Sequence, residues 1–304
     1  MKGFIISVLA LLITLPVFAG DNDIEMGEDY YIKIIIDNLE HGMDQAKEEM
    51  QTYFNDLSSQ LGFGMSYHNS SPAQNLKFGI LPTVEVGLDL AILDIDNVDD
   101  VWGYVMPNED IPSIFAIPRL HINMSLPFDF ELSFAGAFVP TTNIYLVGGA
   151  LKWSIIGTHD SFFNLAISGN FSKLIGIEEV SMFTYGANAS ASLDFMVLVP
   201  YLGAGVVRIH SSAEVPNVSE ELLQQVDDNP DLTQDQKDMI KSEFNENEPF
   251  VELEDYKEMK PNFFFGTRFD LWLLTFNAEV AFSYDFKRSE YINTVYSLRA
   301  NMSF

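Results

Sequence analysis

Histidine and serine are the residues of this chain whose chemistry could support hydrolysis, but their spacing is not that of a catalytic site. Five histidines are scattered along the sequence, at His41, His68, His121, His159 and His210. No two of them have the separation of metal ligands on one helix or hairpin. His210 is followed directly by Ser211 and Ser212. Because a catalytic dyad is defined by geometry across elements and not by adjacency in sequence, we expect no catalytic residue here.

Metal and cofactor chemistry has an equally weak basis. The chain contains no cysteine, which excludes disulfides and thiolate metal sites. Asp94, Asp96, Asp99 and Asp100 form an acidic run, but the run lacks the glycine and the final glutamate of a calcium-binding EF-hand loop. We therefore expect no cofactor and no resident metal. Divalent cations that bridge the acidic loops to anionic lipid are the one metal interaction that the composition allows.

The overall charge is strongly negative. The formal net charge of the 304-residue chain is −28, because 44 acidic side chains face only 16 basic ones. Binding to nucleic acid needs lysine and arginine to displace counterions, so the composition excludes that class of partner. The chain is nevertheless rich in apolar residues and contains 25 phenylalanines. A protein that faces lipid can display such residues on its surface.

The N-terminus has the features of an export signal. Lys2 precedes an apolar run from Phe4 to Leu15, and small residues follow at Ala19 and Gly20. This order predicts a signal peptide over residues 1–19. The run is too short to cross a bilayer comfortably as a helix. No longer uninterrupted apolar stretch follows, which argues against a helical inner-membrane protein.

Most of the mature chain alternates between apolar and polar residues with a period of two, which is typical of strands and not of helices. In the segment from Leu274, apolar side chains alternate with Thr275, Asn277 and Glu279. Ten segments of this kind are predicted as strands: 77–94, 112–126, 129–139, 143–157, 162–173, 179–192, 195–211, 263–271, 274–286 and 292–304. They predict an all-β fold, a transmembrane antiparallel up-and-down β-barrel of about ten strands, with eight to twelve as the range.

The two longest connections between these segments, 95–111 and 212–262, lie at the same end of the predicted barrel. If both termini are periplasmic, all the long acidic connections face the exterior and all the periplasmic turns are short, as in outer-membrane barrels. Aromatic residues gather near the short turns, as an interfacial girdle does: Phe128, Trp153, Phe162, Phe163, Phe195, Trp272 and Phe304. The final Phe304 resembles the C-terminal aromatic by which barrel-assembly machinery recognises its clients. The competing fold is a soluble periplasmic β-sandwich, whose apolar face would be a closed core.

Two regions lie outside the predicted strands. Residues 20–75 precede the barrel, which we assign to 76–304. They contain a β-like patch over 30–36 and an amphipathic helix over 39–61, which could plug the lumen, pack beneath the barrel or contact a partner. An acidic extracellular insertion over 212–258 holds two short helical patterns, over 219–226 and 233–245, and Thr233–Gln236 resembles a capping box.

The inward faces of the predicted strands carry charges of both signs. In the register given by the alternation, these residues face the lumen: Glu85, Asp89, Arg119, His121, Glu131, Arg268, Asp270, Glu279, Asp285 and Arg299. A ten-stranded barrel has a narrow interior, so we expect these groups to pair with one another and fill it. A narrow selective pore is the alternative.

Several blocks resemble an uncharacterised Gram-negative family of hypothetical outer-membrane β-barrel proteins, over about residues 53–304. The blocks are Ile117–His121 with Leu126–Asp129, Asn143–Leu146 with Gly148–Lys152, Gly169–Leu174 with Gly176, Thr184–Gly186, and Val199–Val207. Residues 21–50 and the length of the acidic insertion depart from the family. The resemblance implies a barrel in the outer membrane of a Gram-negative-type bacterium, without a known substrate.

The predicted function is that of a non-enzymatic outer-membrane barrel, either a narrow solute channel or a structural and surface-interaction protein. The expected partners are outer-membrane lipid and lipopolysaccharide, and the barrel-assembly machinery. One alternative is a FadL-like conduit for hydrophobic molecules with the N-terminal segment as its hatch, although that class typically has about fourteen strands. The other alternative is a hydrolase active at the barrel rim, near His210.

Overall fold

Ten antiparallel strands close into a barrel in the computed structural model. Each strand pairs with its neighbours in sequence, and β1 also pairs with β10, which closes the ring. The strands are β1 (Val84–Asp94), β2 (Ile114–Leu126), β3 (Phe130–Phe138), β4 (Tyr145–Ile156), β5 (Phe163–Ile175), β6 (Val180–Leu193), β7 (Leu198–Ala213), β8 (Tyr256–Leu271), β9 (Leu274–Tyr284) and β10 (Ile292–Ser303). The predicted fold class is confirmed.

The structure describes residues 33–36, 43–68, 70–94, 114–138, 145–157, 161–176, 180–215, 220–230, 232–243, 251–284 and 292–304. Besides the helical residues 33–36, the described helices are α1 (Met43–Gly64), α2 (Glu220–Asp228) and α3 (Gln234–Glu243). Each helix within these residues is too short or too polar to span a lipid bilayer.

Burial along each strand follows the period of two. In β1, inward-facing residues such as Glu85 and Asp89 are buried, whereas outward-facing residues such as Leu88 and Leu90 are partly exposed. The outward faces of all ten strands are dominated by apolar side chains, many of them exposed. The alternation places the polar set of each strand inside, the reverse of a soluble β-sandwich.

The barrel has two unlike ends. The connections after β1, β3, β5, β7 and β9 emerge at what we call the long-connection end, and the one between β7 and β8 includes α2 and α3. The turns after β2, β4, β6 and β8 lie at the short-turn end. All seven aromatic residues of the predicted girdle are exposed near the short-turn end. Two of them, Phe128 and Trp272, occupy tight turns with positive φ angles of 63° and 64°.

The barrel closes along the seam between β1 and β10. Val84 and Phe304 exchange two backbone hydrogen bonds, with N···O distances of 3.3 and 2.9 Å. The last residue therefore contributes its backbone to closure, while its side chain is exposed at the short-turn end. Its role as an assembly signal stays a prediction.

Two predicted boundaries and one predicted element type were wrong. Strand β1 begins at Val84 and not at residue 77; Pro82, which has no N–H for a ladder, lies in the exposed linker before it. Strand β8 begins at Tyr256 and not at 263, because the ladder with β7 continues past Pro261. Residues 33–36 are helical and not β-like; a helix allows the adjacent Ile34 and Ile35 both to be buried, whereas a strand would direct them to opposite faces.

The helices of the insertion match their predicted positions, and the capping box is confirmed. The backbone N–H of Gln236 donates to Thr233 Oγ1 (3.4 Å), and the backbone N–H of Thr233 donates to Gln236 Oε1 (2.9 Å). This reciprocal pair satisfies backbone groups that the start of α3 would otherwise leave without partners. The predicted helix over 39–61 is α1, displaced by a few residues at each end.

The seam register can be tested with engineered disulfides, because the chain has no cysteine of its own. Leu90 is directly opposite Leu298 across the seam, a separation that a disulfide spans. We expect Leu90→Cys/Leu298→Cys to crosslink on mild oxidation, seen as a changed mobility of the heat-denatured, unreduced protein. Leu90→Cys/Met302→Cys is the control, offset by four residues or about 13 Å. Equal crosslinking of both pairs would contradict the register.

Candidate functional site: the occupied lumen

The N-terminal region passes through the interior of the barrel. Helix α1 enters from the long-connection end, where the Gln51 side chain exchanges two hydrogen bonds with the backbone of Glu254 (2.7 and 3.1 Å). Beyond the helix, residues 65–68 and 70–75, which we call the strap, continue toward the short-turn end. Asn75 Nδ2 donates there to the backbone oxygen of Asp129, in the turn after β2. We call α1 and the strap together the plug, because the strap and the end of α1 contact inward-facing residues of the barrel.

The apolar stripe predicted along α1 is buried in a hydrophobic cluster that it shares with the barrel wall. Ala46, Met50, Phe54, Leu57 and Leu61 lie three or four residues apart and are all buried. The wall around them is lined by inward-facing apolar residues from the outer part of the strands: Leu93, Ile117, Ala137, Leu146, Leu174, Met182, Val207, Ile209, Ala281 and Val295. Burying apolar surface on both sides stabilises the plug by the hydrophobic effect.

The last turn of α1 approaches the wall so closely that it requires glycine. A Cβ atom at Gly62 would collide with the side chain of Ile209, and one at Gly64 would collide with Leu93. These two wall residues belong to β7 and β1. The two glycines therefore let the helix end inside a narrow ring of strands.

The strap crosses the polar part of the lumen and forms hydrogen bonds with the wall along its length. Ser70 Oγ donates to Glu279 Oε1 (3.0 Å), and Asn277 Nδ2 donates to the backbone oxygen of Ser70 (2.6 Å). Nearer the short-turn end, Ser154 Oγ donates to the backbone oxygen of Ala73 (2.6 Å). An irregular backbone segment in a lumen needs such partners because its N–H and C=O groups are removed from water.

Lys152 is the main cationic contact of the strap. Its Nζ donates to Ser71 Oγ (2.9 Å) and to the backbone oxygens of Pro72 (3.0 Å) and Gln74 (3.2 Å). It also forms an ion pair with Glu131 Oε1 at 3.1 Å. The sequence prediction missed Lys152, because β4 is rich in glycine and its inward face is hard to identify. The alternation of Lys152 with the outward Leu151 and Trp153 was the available signal.

The predicted lumen residues lie on the wall in bonded groups, and Thr275 links two of them: it accepts from Asn301 Nδ2 (3.0 Å) and donates to Glu85 Oε2 (3.3 Å). Asp89 lies between Arg119 and Arg299 on neighbouring strands, with N···O distances of 2.9 and 3.7 Å. His121 Nε2 is 2.7 Å from Asn301 Oδ1, and Glu85 accepts from Asn123 Nδ2 (3.0 Å). As described above, Glu279 accepts from Ser70 of the strap, and Glu131 pairs with Lys152. Asp285 lies outside the described residues.

Arg268 and Asp270 pair with each other near the short-turn end, with an N···O distance of 2.9 Å. They line a cavity of about 660 Å³ below the strap, together with Glu85, Asp194, Phe162 and Trp272. The wall of this cavity carries both signs of charge and two aromatic rings. The cavity faces the short-turn side, and the strap and α1 separate it from the long-connection end.

The histidines take no part in a catalytic arrangement within the described residues. His210 faces outward, stacks on Phe183 with ring centroids 4.7 Å apart and lies 3.7 Å from Asp255. A hydrogen bond from Lys257 to Asp255 lowers the pKa of this carboxyl below its ordinary value. Ser211 is buried on the opposite, inward face of β7, so the adjacent His-Ser pair does not converge.

A serine and a histidine do meet inside the strap. Ser66 Oγ lies 2.7 Å from His68 Nε2, and both residues are buried. Ser66 Oγ also donates to the backbone oxygen of Phe63 (2.7 Å), and His68 Nδ1 has no partner among the described atoms. The pair lacks an orienting carboxylate, so its geometry is that of a local structural contact. His41, His159 and the acidic residues Asp96, Asp99 and Asp100 lie outside the described part of the chain.

Comparison with known proteins identifies no family, because no family model and no curated protein matches the chain. Several solved structures are similar in outline. The N-terminal β-barrel domain of Pseudomonas aeruginosa OprF is 11% identical, with 73% of this chain and 97% of that one covered and a TM-score of 0.31. LpxR from Salmonella typhimurium is 10% identical, with coverage of 71% and 99% and a TM-score of 0.32.

The translocator domain of the autotransporter NalP from Neisseria meningitidis is 10% identical, with coverage of 84% and 98% and a TM-score of 0.31. Identities and TM-scores this low transfer no activity, substrate or residue role to the present chain. Membership of an uncharacterised barrel family stays a prediction.

The contribution of Lys152 can be measured as a free energy of unfolding. Lys152→Met leaves the buried Glu131 carboxylate without its cation, which should lower the free energy of unfolding by about 3–5 kcal/mol. Adding Glu131→Gln should recover part of the loss, since Gln keeps an acceptor for the backbone N–H of Leu76. Guanidinium unfolding in detergent micelles gives the values. The exposed Lys173→Met on β5 is the control, with an expected change below about 0.5 kcal/mol.

Proposed function

We propose that this protein is a sealed, non-enzymatic β-barrel of the Gram-negative outer membrane. It acts through the long-connection end, which faces the outside of the cell. The observation that carries the proposal is the occupied lumen, in which α1 and the strap pass through the barrel and bond to its wall. Export by the predicted signal peptide, with the long connections outside the cell, completes the proposed topology.

The outward surface supports a membrane location. Exposed outward-facing side chains include Leu120, Phe134, Leu151, Leu202 and Phe265, which lie on different strands around the barrel. Exposing so much apolar surface to water is unfavourable by about 25 cal/mol per Å², and patches of this extent mark contact with lipid or protein. Lipid on all sides of a closed ring satisfies the whole surface, whereas a protein partner would cover one side.

The filled lumen supports a sealed barrel more than an open channel. The apolar part of the lumen is occupied by α1, and the polar part is occupied by the strap, whose contact residues Ser70, Ala73 and Gln74 are buried. An open channel would leave the inward-facing charges to water. The ten strands give no support to a FadL-like conduit.

The long-connection end supports a role at the cell surface. Ile34 and Ile35 are buried in the same hydrophobic cluster as Val226, Leu232 and Ile240 of the insertion, and we call this assembly the cap. Acidic side chains are exposed on its two helices: Asp227, Asp228, Asp235 and Asp238. A structured acidic surface of this kind suits contact with cationic partners, including divalent cations at the cell surface.

The support for a non-enzymatic role is the arrangement of the rim. His210 and Ser211 lie on opposite faces of β7. The described part of the chain brings no serine, histidine and aspartate together in the geometry of a catalytic triad. Hydrolysis that is lost in His210→Ala while the barrel stays folded would overturn this part of the proposal.

Conductance tests whether the barrel is sealed. We expect the purified protein to give no steady single-channel conductance in planar bilayers, because α1 and the strap block the lumen. Gly62→Leu/Gly64→Leu should displace the end of α1 from Ile209 and Leu93, together with the strap that follows directly, and produce measurable conductance. A heat-dependent gel shift checks that this variant is still a barrel. Steady conductance of the unchanged protein would favour the narrow solute channel instead.

Labelling of single cysteines tests the topology. Lys33 is exposed at the start of the described chain, and Leu81 is 77% exposed in the linker at the short-turn end. We expect a membrane-impermeant maleimide to label Lys33→Cys, but not Leu81→Cys, on intact cells. Both variants should react after the outer membrane is permeabilised. The opposite pattern would invert the proposed orientation.

A further inference from the structure

The outward-facing charges of the barrel are few and concentrated in one place. Among the outward-facing positions of the described strands, the charged side chains are Asp94, Lys173, Arg208 and Lys257. Asp94 ends β1. The three cations lie on β5, β7 and β8, which are close together on one side of the ring. In a chain with net charge −28, a cationic cluster on the lipid-facing surface is a distinctive feature.

The strand register brings these cations into two adjacent rows. Lys173 lies opposite Phe183, Phe183 lies opposite His210, and His210 lies opposite Lys257, so one row crosses four neighbouring strands. Arg208 is two residues from His210 and lies opposite Tyr185 in the next row. Strands are about 4.8 Å apart, so Lys173 and Lys257 are separated by roughly 14 Å along the wall. Lys173 and Lys257 lie in the first row and Arg208 lies in the second, and we call the three residues together the cationic row.

The cationic row lies at the rim next to the long-connection end. Lys173 is two residues before the end of β5, and Lys257 is one residue after the start of β8. Toward the other end, the outward residues of the same strands are apolar and exposed: Phe171, Ile167, Val206, Leu202, Phe263 and Phe265. In the proposed orientation the row therefore meets the headgroups of the outer leaflet, with an apolar surface directly below it for acyl chains.

Among the described residues, the acidic side chains around the row leave two of its cations without an ion pair. Asp255 accepts a hydrogen bond from Lys257 (2.8 Å) and lies 3.7 Å from His210. No described acidic side chain forms an ion pair with Lys173 or Arg208. Between these two cations, Phe183 and Tyr185 stack with centroids 6.2 Å apart and an interplanar angle of 14°. The surface between the cations is therefore a flat aromatic strip, against which a sugar ring or an acyl stem can pack.

We propose that the cationic row binds the phosphate groups of an anionic lipid in the outer leaflet. The Arg208 guanidinium offers planar, bidentate hydrogen bonds to phosphate, and the lysines offer point charges. When the lipid binds, a phosphate oxygen replaces the Asp255 carboxylate as the partner of Lys257, or Asp255 stays between Lys257 and His210. The acidic cap above repels phosphate, so the row supplies the attraction that holds such a lipid at this side of the ring. The inference rests on the proposed membrane location.

A charge-neutralised variant tests this site. Lys173→Gln/Arg208→Gln/Lys257→Gln removes all three cations from the lipid-facing rim, and Lys237→Gln/Lys241→Gln removes two cations from α3 as the control. The probe is lipid A, the phosphorylated glycolipid, titrated onto the full-length protein in neutral detergent micelles and measured by native mass spectrometry. We expect the triple variant to bind at least about tenfold more weakly, and the control variant to bind as the unchanged protein does.

Two further arms identify the chemistry. Dephosphorylated lipid A should bind the unchanged protein as weakly as lipid A binds the triple variant. Inorganic phosphate at millimolar concentration should not displace lipid A, since it lacks the acyl chains that contact the apolar surface. Displacement by inorganic phosphate, or equal lipid A binding by the triple variant, would overturn the proposal. A heat-dependent gel shift and a requirement for detergent, measured first, test the membrane barrel separately from the lipid site.

Discussion

The charged side chains inside the ring determine how the rest of the molecule is arranged. An inward-facing ionised group in a narrow barrel is removed from most of its water, and it is tolerated only where a counter-charge or several hydrogen bonds replace that water. The wall supplies part of this through Asp89 with its two arginines. The strap supplies the rest, because Lys152 and Glu279 find their partners on it. The barrel wall and its plug are thus one polar network, and neither is complete without the other.

The lumen is divided into two chemical levels, and the N-terminal region follows that division. Toward the long-connection end most of the inward-facing residues are apolar, and the segment that lies there is an amphipathic helix; the buried Lys260 of β8 is an exception, and its Nζ donates to Ser59 of that helix. Toward the short-turn end they are polar, and the segment becomes an irregular strap rich in serine, asparagine and glutamine. The change from helix to strap after Gly64 coincides with the change in the wall. Because the helix matches the apolar level of the wall and the strap matches the polar level, the plug has one position and one direction in the lumen.

Much of the barrel could be predicted from the sequence because a two-residue period is a local signal. The alternation around Glu279 and Arg299 identified both the strands and their inward faces. It failed where the signal was interrupted: Pro82 lies beside β1, Pro261 lies within β8, and the glycines of β4 hid Lys152. The strap has no period at all, so no local rule could place Ser70 beside Glu279. That contact joins positions 209 residues apart, and it exists only because the ring closes around it.

The path of the N-terminal region has a mechanical consequence. The chain enters the ring from one end, leaves it at the other and continues into β1, so the ring encloses its own thread. Movement of the thread toward the long-connection end is prevented by its covalent continuity with the wall. Movement toward the short-turn end is prevented by the cap, in which Ile34 and Ile35 are buried with the insertion. The plug is therefore held at both ends, by its covalent continuity with β1 on one side and by the buried Ile34 and Ile35 on the other.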